Sequence, residues 1–468
     1  MTQTPNTSEA YASHIPALHT LIALGWRFMS AADCLAARDG NSGVVMKGVL
    51  VDQLRKRSFD YKGKSYPLSP NAIDQIVREV TAPAMNEGLL TANERLYDHL
   101  TLGVTVTEFV DGKKHSPTVQ LINWHDPDDN DFIVTEELEV LSAGGAHTRR
   151  PDVVCYVNGL PLAIIEAKRP DSGNPNKSMV IEGISQNIRN QRPEEIPHLF
   201  AYAQLLMSVN GTEGKYATTK TPAKFWSNWR EEDISEETFS TIKNTVLAGD
   251  VVDALFAGKP LWKRQYFENL WAAHNLPSDQ DRLIISLLGK ERFLEFMRYF
   301  ILFDKKIGKV AARYQQAFGI KALLKRIREK RPAGGREGGV IWHTTGSGKT
   351  FTMVFLTKAL LLDEELKQCR IVVVTDRLDL ERQLSKTFIS GGAFGSDIGI
   401  RKDGERSKAT SGRDLAKRIG QGKERIIFSI IDKFYNASQY PECHNPSEDM
   451  IVLVDEGHRS HGGRTMNG

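Results

Sequence analysis

The chain has 468 residues, of which 40% are hydrophobic and 25% charged, and its formal net charge at pH 7 is +3. This composition is typical of globular proteins, so it argues against a disordered chain, a coiled coil or a membrane protein, and the length predicts two or three domains. The longest mostly apolar stretches, such as residues 426–431, have the length of strands, so no transmembrane helix and no membrane partner are predicted.

The cysteines and the N-terminus indicate the cellular compartment. Cys34, Cys155, Cys369 and Cys443 are far apart in the sequence and form no C-x-x-C pair. That spacing predicts neither a disulfide framework nor a structural zinc site, and it favours a reduced, cytoplasmic protein. The N-terminus has no basic segment followed by an apolar one, so no secretory signal is predicted.

The first half of the chain predicts a mixed α+β domain at residues 1–235. The predicted elements are helices at 8–24 and 65–100, a hairpin at 102–124, strands within 131–168, a helix at 179–192, and strands at 202–209 and 215–218. Residues 236–304 have amphipathic helical spacing, which predicts a helical connector. The basic residues 321–331 are interpreted as the solvated face of a helix.

Two apolar runs within residues 150–170 surround Asn158 and Gly159, a pair typical of β-hairpin turns. If the turn is centred on Gly159, Asp152 lies opposite Glu166, whereas a strict two-residue turn shifts this register by one residue. Glu166 and Lys168 are two residues apart, so they share one face of a strand. The sequence therefore predicts two carboxylates and a lysine at one end of a short hairpin.

This group of side chains favours metal-dependent cleavage of phosphodiesters. Asp152 and Glu166 can ligate Mg²⁺, which lowers the pKa of its water and offsets charge on the scissile phosphate. Lys168 can position the nucleophile or stabilise charge in the transition state. The three residues follow the P-D…E-x-K pattern of nucleases, although the pattern alone also fits a salt-bridged strand end.

Residues 305–468 predict a parallel sheet covered by helices. Near-continuous apolar runs at 339–342, 371–375, 425–429 and 450–454 alternate with helical segments. The first run leads into a glycine-rich loop whose backbone N–H groups can surround phosphates; the loop residues are Thr345, Gly346, Ser347 and Gly348. Lys349 is then predicted to reach the β- and γ-phosphates of ATP, and Thr350 to ligate Mg²⁺. His343 stands where the usual P-loop pattern has glycine.

A second nucleotide-binding element follows the last apolar run. Asp455 is predicted to hold Mg²⁺, and Glu456 to orient or deprotonate the attacking water. His458 is predicted to couple the nucleotide site to the rest of a motor. Together with the glycine-rich loop, this element predicts ATP binding.

The motifs together resemble a known family. The order G-S-G-K-T, V-V-T-D-R-L-D-L-E-R-Q and D-E-G-H-R-S resembles the first RecA-like lobe of superfamily 2 translocases. Within that group, T-D-R-L-D-L and D-E-x-H-R-S are similar to type I restriction enzyme R subunits, and the run from R-R-P-D to E-A-K resembles their nuclease core. The resemblance implies an α/β fold, with a mixed α+β PD-(D/E)xK nuclease domain followed by a RecA-like parallel-sheet P-loop domain.

The resemblance also implies roles for further residues. Gln186 matches a nuclease-supporting glutamine, but Asn190 stands where a tyrosine is usual, so no stacking role carries over. In the motor, Arg313 and Gln316 resemble an adenine-reading motif, with Gln315 as an alternative. Residues 429–431 depart from the usual T-T-x-like motif. The motif that lines the DNA track is matched by Thr375, Asp376 and Arg377.

An R subunit of this family is implied to translocate double-stranded DNA using ATP and to cut unmethylated DNA with Mg²⁺ when translocation stalls. Its implied partners are modification and specificity subunits, and S-adenosylmethionine enters only through the modification partner. Eight residues remain after D-E-G-H-R-S, so we expect a fragment that lacks the second motor lobe and hydrolyses ATP poorly.

Two alternatives remain open. One is a stand-alone superfamily 2 helicase-nuclease that works in repair or defence without methyltransferase partners. The other is a non-catalytic DNA-binding module, against which the complete set of Asp152, Glu166 and Lys168 argues. The hairpin and the motor motifs occur together, in this order, in one chain, and this favours the restriction interpretation.

Overall fold

The computed structural model describes residues 8–170, 178–304, 307–332, 334–342, 344, 348–366, 368–375 and 409–455. The chain divides into two compact units, Met1–Arg298 and Tyr299–Gly468. By this division, residues 236–298 lie in the first unit. The physical reason is that their helices pack on the N-terminal segment, where Gln280 Nε2 donates to the Ser13 carbonyl at 2.9 Å.

The helices of the first unit surround a mixed sheet. A π-helical turn, Ala10–His14, runs directly into the first helix. The helices are α1 Ile15–Ala23, α2 Ala31–Ala37, α3 Lys47–Arg55, α4 Pro70–Thr81, α5 Leu89–Leu102, α6 Met179–Asn190, α7 Pro197–Phe200, α8 Glu236–Lys243, α9 Gly249–Leu255, α10 Leu261–Trp271, α11 Asp279–Leu288 and α12 Lys290–Tyr299. Serine caps set several of their starts, as Ser178 does for α6 by accepting from the Val180 N–H.

The strands of the first unit, in chain order, are β1 Arg27–Met29, β2 Ser58–Tyr61, β3 Lys64–Pro67, β4 Val104–Thr105, β5 Glu108–Val110, β6 Lys113–His115, β7 Thr118–Val119, β8 Phe132–Glu136, β9 Val140–Leu141, β10 Thr148–Arg149, β11 Val153–Val157, β12 Leu160–Ala167, β13 Leu205–Val209 and β14 Gly214–Ala217. The main sheet has the order β1-β8-β11-β12-β13-β14. The pairs β1–β8 and β12–β13 are parallel, and the others are antiparallel. The predicted hairpin after residue 102 is present as β5 and β6.

The middle of this sheet is the core of the unit. Strands β11 and β12 are buried at every position, as their near-continuous apolar sequence requires. β8 ends, β11 begins and β12 ends at one edge of the sheet, because β11 is antiparallel to both neighbours. Residues at these three strand ends are therefore neighbours in space.

The second unit begins with a hairpin, β15 Ile301–Asp304 and β16 Gly308–Ala311. Its described helices and remaining strands are α13 Tyr314–Arg328, α14 Lys349–Leu362, β17 Arg370–Thr375, α15 Gly412–Gln421, β18 Ile426–Ile430, α16 Ile431–Ser438 and β19 Met450–Val454. Strands β17 to β19 form a parallel sheet in the order β18-β17-β19, as the alternation of apolar runs and helices predicted.

One predicted strand is wrong. Residues 339–342 are not in a strand, and the side chains of Val340 and Trp342 are 89% and 83% exposed. An apolar run forms a strand only where a neighbouring strand satisfies its backbone groups, and no described strand pairs with this run. In the part of the chain that the structure describes, no helix is both long and apolar enough to cross a membrane.

Candidate active site

The hairpin that joins β11 and β12 turns at Asn158 and Gly159. Both residues have positive φ angles, 52° and 83°, which is the conformation that a two-residue hairpin turn requires. Val157 accordingly pairs with Leu160 directly across the turn. Of the two turn geometries considered from the sequence, the strict two-residue turn is therefore the one observed.

A shift in pairing then restores the register that places the acids together. The shift of one residue lies between Cys155 and Tyr156, where β12 contributes an extra residue. Beyond it, the strands continue in the register that brings Asp152 level with Glu166. The irregular pairing inside the hairpin thus sets the position of the two carboxylates.

Asp152, Glu166 and Lys168 lie together at the sheet edge. Lys168 Nζ is 3.1 Å from Asp152 Oδ2 and 3.6 Å from Glu166 Oε2, and it donates to the Ala167 carbonyl at 2.8 Å. Asp152 Oδ2 also accepts from the Ala167 N–H at 2.7 Å, which holds the start of β11 against the end of β12. We name Asp152, Glu166 and Lys168 the edge cluster.

Glu166 and Lys168 of the edge cluster are buried, which changes their proton affinities. Burial raises the pKa of Glu166 well above its usual value, and the nearby Asp152 carboxylate raises it further while Lys168 opposes the shift. Burial lowers the pKa of Lys168, but the carboxylates of Asp152, Glu166 and Glu9 outweigh burial and leave it raised. Lys168 therefore stays charged, while Glu166 binds its proton more tightly than an exposed glutamate does.

The two carboxylates fit a divalent cation. Glu166 is 0% exposed, and its Oε1 accepts no hydrogen bond from any described residue. A buried carboxylate oxygen without a donor is costly unless a cation or a proton binds it. No group of three or more His, Cys, Asp and Glu side chains forms a metal site within the described ranges. Two carboxylates nevertheless suffice for Mg²⁺, which commonly keeps several water ligands.

Gln186 is brought to this cluster by helix α6. The helix packs closely on the sheet at Gly183, where a Cβ atom would lie 2.2 Å from Ser208 Oγ and 3.4 Å from Glu166 Cβ. One turn later, Gln186 Nε2 donates to Glu166 Oε2 at 2.6 Å. Asn190 is buried one turn further along the helix.

The structure adds residues that the sequence analysis missed. Glu9 Oε2 lies 3.8 Å from Lys168 Nζ, and burial raises the pKa of Glu9. Glu136, at the end of β8, is buried and pairs with Lys259, and its Oε2 lies 3.7 Å from His14 Nε2. These residues belong to no motif, so only the fold reveals their proximity to the hairpin.

In the second unit, Gln316 contacts the start of the phosphate-loop helix. Gly348 precedes α14 with a φ of 89°, and its carbonyl accepts from Gln316 Nε2 at 3.2 Å. The Oε1 of the same amide accepts from the Arg313 N–H at 2.9 Å. Lys349 and Thr350 are the first two residues of α14, where helix N–H groups favour anions.

The remaining predicted motor residues lie at strand ends or outside the described part. Asp455 follows β19, and its N–H donates to the Val374 carbonyl at 2.9 Å. Thr375 ends the adjacent β17 and is 1% exposed, so its side chain does not face solvent. The predicted residues that lie outside the described residues are Thr345, Gly346, Ser347, Asp376, Arg377, Glu456 and His458.

Comparison with known proteins finds one family model that matches part of each unit. The family model of the type I restriction enzyme R protein N terminus matches residues 6–225, which include the whole edge cluster and Gln186. Over these residues, the chain is similar to the N-terminal part of type I restriction enzyme R proteins. A second family model, the SWI2/SNF2 ATPase, matches residues 315–467. The two matches follow the order that the motifs predicted.

Individual relatives agree with these matches. The chain is 29% identical over 465 residues to the type I restriction enzyme HindI endonuclease subunit of Haemophilus influenzae, covering 96% of this chain and 39% of that protein. A protein of Methanocaldococcus jannaschii, the MjaIXP endonuclease subunit, is 30% identical over 378 residues, covering 78% of this chain and 32% of that protein. The chain thus spans about two fifths or less of the curated relatives it matches.

Proposed function

We propose that this chain is the nuclease and first motor part of a type I restriction enzyme R subunit. The proposed activity is ATP-driven translocation of double-stranded DNA coupled to Mg²⁺-dependent cleavage of both strands of unmethylated DNA. The observation that carries the proposal is the convergence of Asp152, Glu166 and Lys168 at one sheet edge, in a chain that also matches an ATPase family.

The finer fold assignment is part of the same proposal. A PD-(D/E)xK nuclease domain is proposed within residues 1–235, followed by the helical residues 236–304 and by a RecA-like lobe in residues 305–468. The mixed sheet whose acids lie at one edge supports the first assignment. The parallel three-stranded sheet and the helix that begins at Lys349 support the second.

The side chains of the edge cluster have separate tasks in this proposal. Asp152 and Glu166 hold Mg²⁺, which supplies Lewis acidity toward the scissile phosphate and a more acidic water. Lys168, held by Asp152 and the Ala167 carbonyl, presents a fixed positive charge for the developing negative charge on phosphate oxygens. Gln186 fixes the rotamer of Glu166 by binding its Oε2, which leaves Oε1 for the cation.

The motor residues are proposed to bind and hydrolyse ATP. The phosphate loop from Thr345 to Thr350 surrounds the phosphates, Asp455 and Thr350 hold Mg²⁺, and Glu456 directs the attacking water. Arg313 and Gln316 contact the base or the loop, His458 couples hydrolysis to movement, and the DNA-track motif follows β17. In this proposal the phosphates bind beside Lys349.

Modification and specificity subunits are the proposed partners, and S-adenosylmethionine acts only through the modification subunit. The specificity subunit selects the DNA site. The four cysteines are free, which supports the proposal that the protein works in a reducing cytoplasm.

The proposal is tested in a complete R subunit assembled with its modification and specificity partners. Long unmethylated circular DNA is incubated with Mg²⁺ and ATP, and cleavage and ATP hydrolysis are measured together. We expect Glu166→Ala to hydrolyse ATP without cutting, Lys349→Ala to do neither, and Ser185→Ala, on the exposed side of α6, to behave as wild type. Cleavage that proceeds without ATP or partners contradicts the proposal and favours a stand-alone nuclease.

A further inference from the structure

An exposed aromatic side chain lies at the start of α10, in the first unit. Trp262 is 61% exposed, although its ring is large and apolar. Lys263 follows it, with its Nζ 5.6 Å from the centre of the Tyr11 ring. We name Trp262 and Lys263, together with the supporting Tyr11, the Trp262 surface.

Tyr11 holds Trp262 in a fixed orientation. The two rings are nearly parallel, with an interplanar angle of 10° and centroids 5.9 Å apart. Tyr11 is itself buried and stacks on Phe267 at 5.3 Å with an interplanar angle of 17°. Trp262 is therefore supported from one side by packed rings, while most of its surface meets solvent. Because the ring is already held in place, little conformational entropy is lost when a flat ligand stacks on it.

The Trp262 surface is connected to the edge cluster along two separate paths. Lys259, just before α10, pairs with Glu136, and the next residue, Glu137, donates its N–H to the Asp152 carbonyl at 2.9 Å. On the other path, Glu9 lies two residues before Tyr11 and reaches within 3.8 Å of Lys168 Nζ. The N-terminal segment and the end of β8 thus connect the aromatic surface to the proposed nuclease centre.

An aromatic face beside a lysine matches the chemistry of a nucleotide with its base unpaired. The base can stack on the ring, and the lysine can contact the adjacent phosphate. A duplex offers stacked bases that are closed to such a contact, whereas a frayed or single strand offers free base faces. We propose that the Trp262 surface binds one DNA strand in single-stranded form beside the nuclease centre. This proposal rests on the proposed nuclease function only for the identity of the ligand.

The test is the affinity of this chain for a short fluorescent oligothymidylate, measured by anisotropy with Ca²⁺ in place of Mg²⁺. We expect Trp262→Ala to weaken binding about 5- to 100-fold and Trp262→Phe to retain most of it, since base stacking tolerates any aromatic ring. We expect Lys263→Ala to make the affinity less dependent on salt. The slope of the logarithm of the binding constant against the logarithm of the salt concentration should fall by the amount of about one phosphate contact. Leu276→Ala, another exposed apolar position of the same unit, is the matched control and should bind as wild type.

Two outcomes overturn the proposal. One is wild-type affinity of Trp262→Ala for the oligothymidylate. The other is that wild type itself does not bind the oligothymidylate. If Trp262→Ala keeps its affinity but changes between monomer and dimer in light scattering, the surface joins copies of the chain instead. A Glu166→Gln variant separates this proposal from the nuclease proposal: it should lose cleavage in the assembled enzyme while keeping wild-type binding to the oligothymidylate.

Discussion

Gln186 and Glu166 are joined by a hydrogen bond of 2.6 Å between Nε2 and Oε2, although they lie on different elements, α6 and β12. The bond forms because Gly183 lets the helix approach the strand closely. Glu166 is fully buried there, so the amide of Gln186 decides which of its two oxygens can meet a cation. Gln186 thereby positions the carboxylate that we propose as a cation ligand.

The first prediction concerns this positioning. Gln186→Leu keeps the volume of the side chain but removes the donor, so we expect Mg²⁺ affinity of the edge cluster to fall about 10- to 100-fold while the fold is retained. Calorimetric titration with Mg²⁺ measures the affinity, and circular dichroism checks the fold. Ser185→Ala is the control on the same helix. Unchanged affinity in Gln186→Leu shows that Glu166 does not depend on this bond.

The second prediction is that the edge cluster lowers the stability of the metal-free protein. Burial raises the pKa of Glu166, so its stabilising contribution is present below the ordinary pKa of glutamate and is lost as pH rises toward the folded pKa. At higher pH, burying the carboxyl group of Glu166 therefore costs free energy of folding. Glu166→Gln removes this cost, and we expect it to increase the free energy of unfolding by about 1–3 kcal/mol.

Urea unfolding at about pH 5 and about pH 8, in the presence of a chelator, measures the effect, which should be larger at the higher pH because exposed glutamates titrate near pH 4. The exposed Glu182→Gln is the control and should change little. A Glu166→Gln variant that is less stable than wild type at both pH values contradicts the prediction.

The third prediction concerns the phosphate-loop helix. Gln316→Leu removes the donor to the Gly348 carbonyl and the acceptor of the Arg313 N–H, so the entry to α14 loses its support. We expect binding of a fluorescent ATP analogue to weaken about 5- to 30-fold, the equivalent of about 1–2 kcal/mol. Gln315→Leu, next to it but exposed, is the matched control. Equal losses in the two variants argue against a specific role for Gln316.

The fourth prediction is a pH dependence of folding at His19. Burial, followed by the charge of Lys243, lowers the pKa of His19 to about 4. The neutral ring donates from Nε2 to the Thr245 carbonyl at 3.1 Å. Because the unfolded chain binds the proton near pH 6.5, this contribution is complete above that pH and is lost as pH falls toward about 4.

We expect wild type to lose about 2–3 kcal/mol from this residue between those pH values, and His19→Gln to show a correspondingly flatter profile. Urea unfolding across the pH range measures both, and the exposed His274→Gln serves as the control. Parallel profiles for wild type and His19→Gln contradict the assignment.

The edge cluster could be predicted from the sequence because it depends on local pattern. Asn158 and Gly159 predict the turn, and the two-residue spacing of Glu166 and Lys168 puts them on one face of the strand. The register was less predictable, since the two-residue turn alone places Asp152 out of line with Glu166. The extra residue in β12 corrects this, and nothing in its apolar sequence distinguishes it from its neighbours.

Long-range packing accounts for what the sequence did not predict. Glu9 reaches Lys168 only because the N-terminal segment crosses the sheet edge. The spacing of apolar residues after residue 235 predicts amphipathic helices. It does not show which surface the apolar side of each helix packs against. Trp26 Nε1, for example, donates to the Leu288 carbonyl at 2.8 Å, a contact between segments far apart in the chain.

Asp152 and Glu166 are proposed to bind together the Mg²⁺ ion on which DNA cleavage depends. The most direct measurement is calorimetric titration of Mg²⁺ into this chain, comparing wild type with Asp152→Asn and Glu166→Gln. We expect one site whose Mg²⁺ affinity falls at least about 10-fold in each variant, because each variant loses a charged ligand. Equal Mg²⁺ affinity in wild type and both variants, with the fold intact, would contradict it.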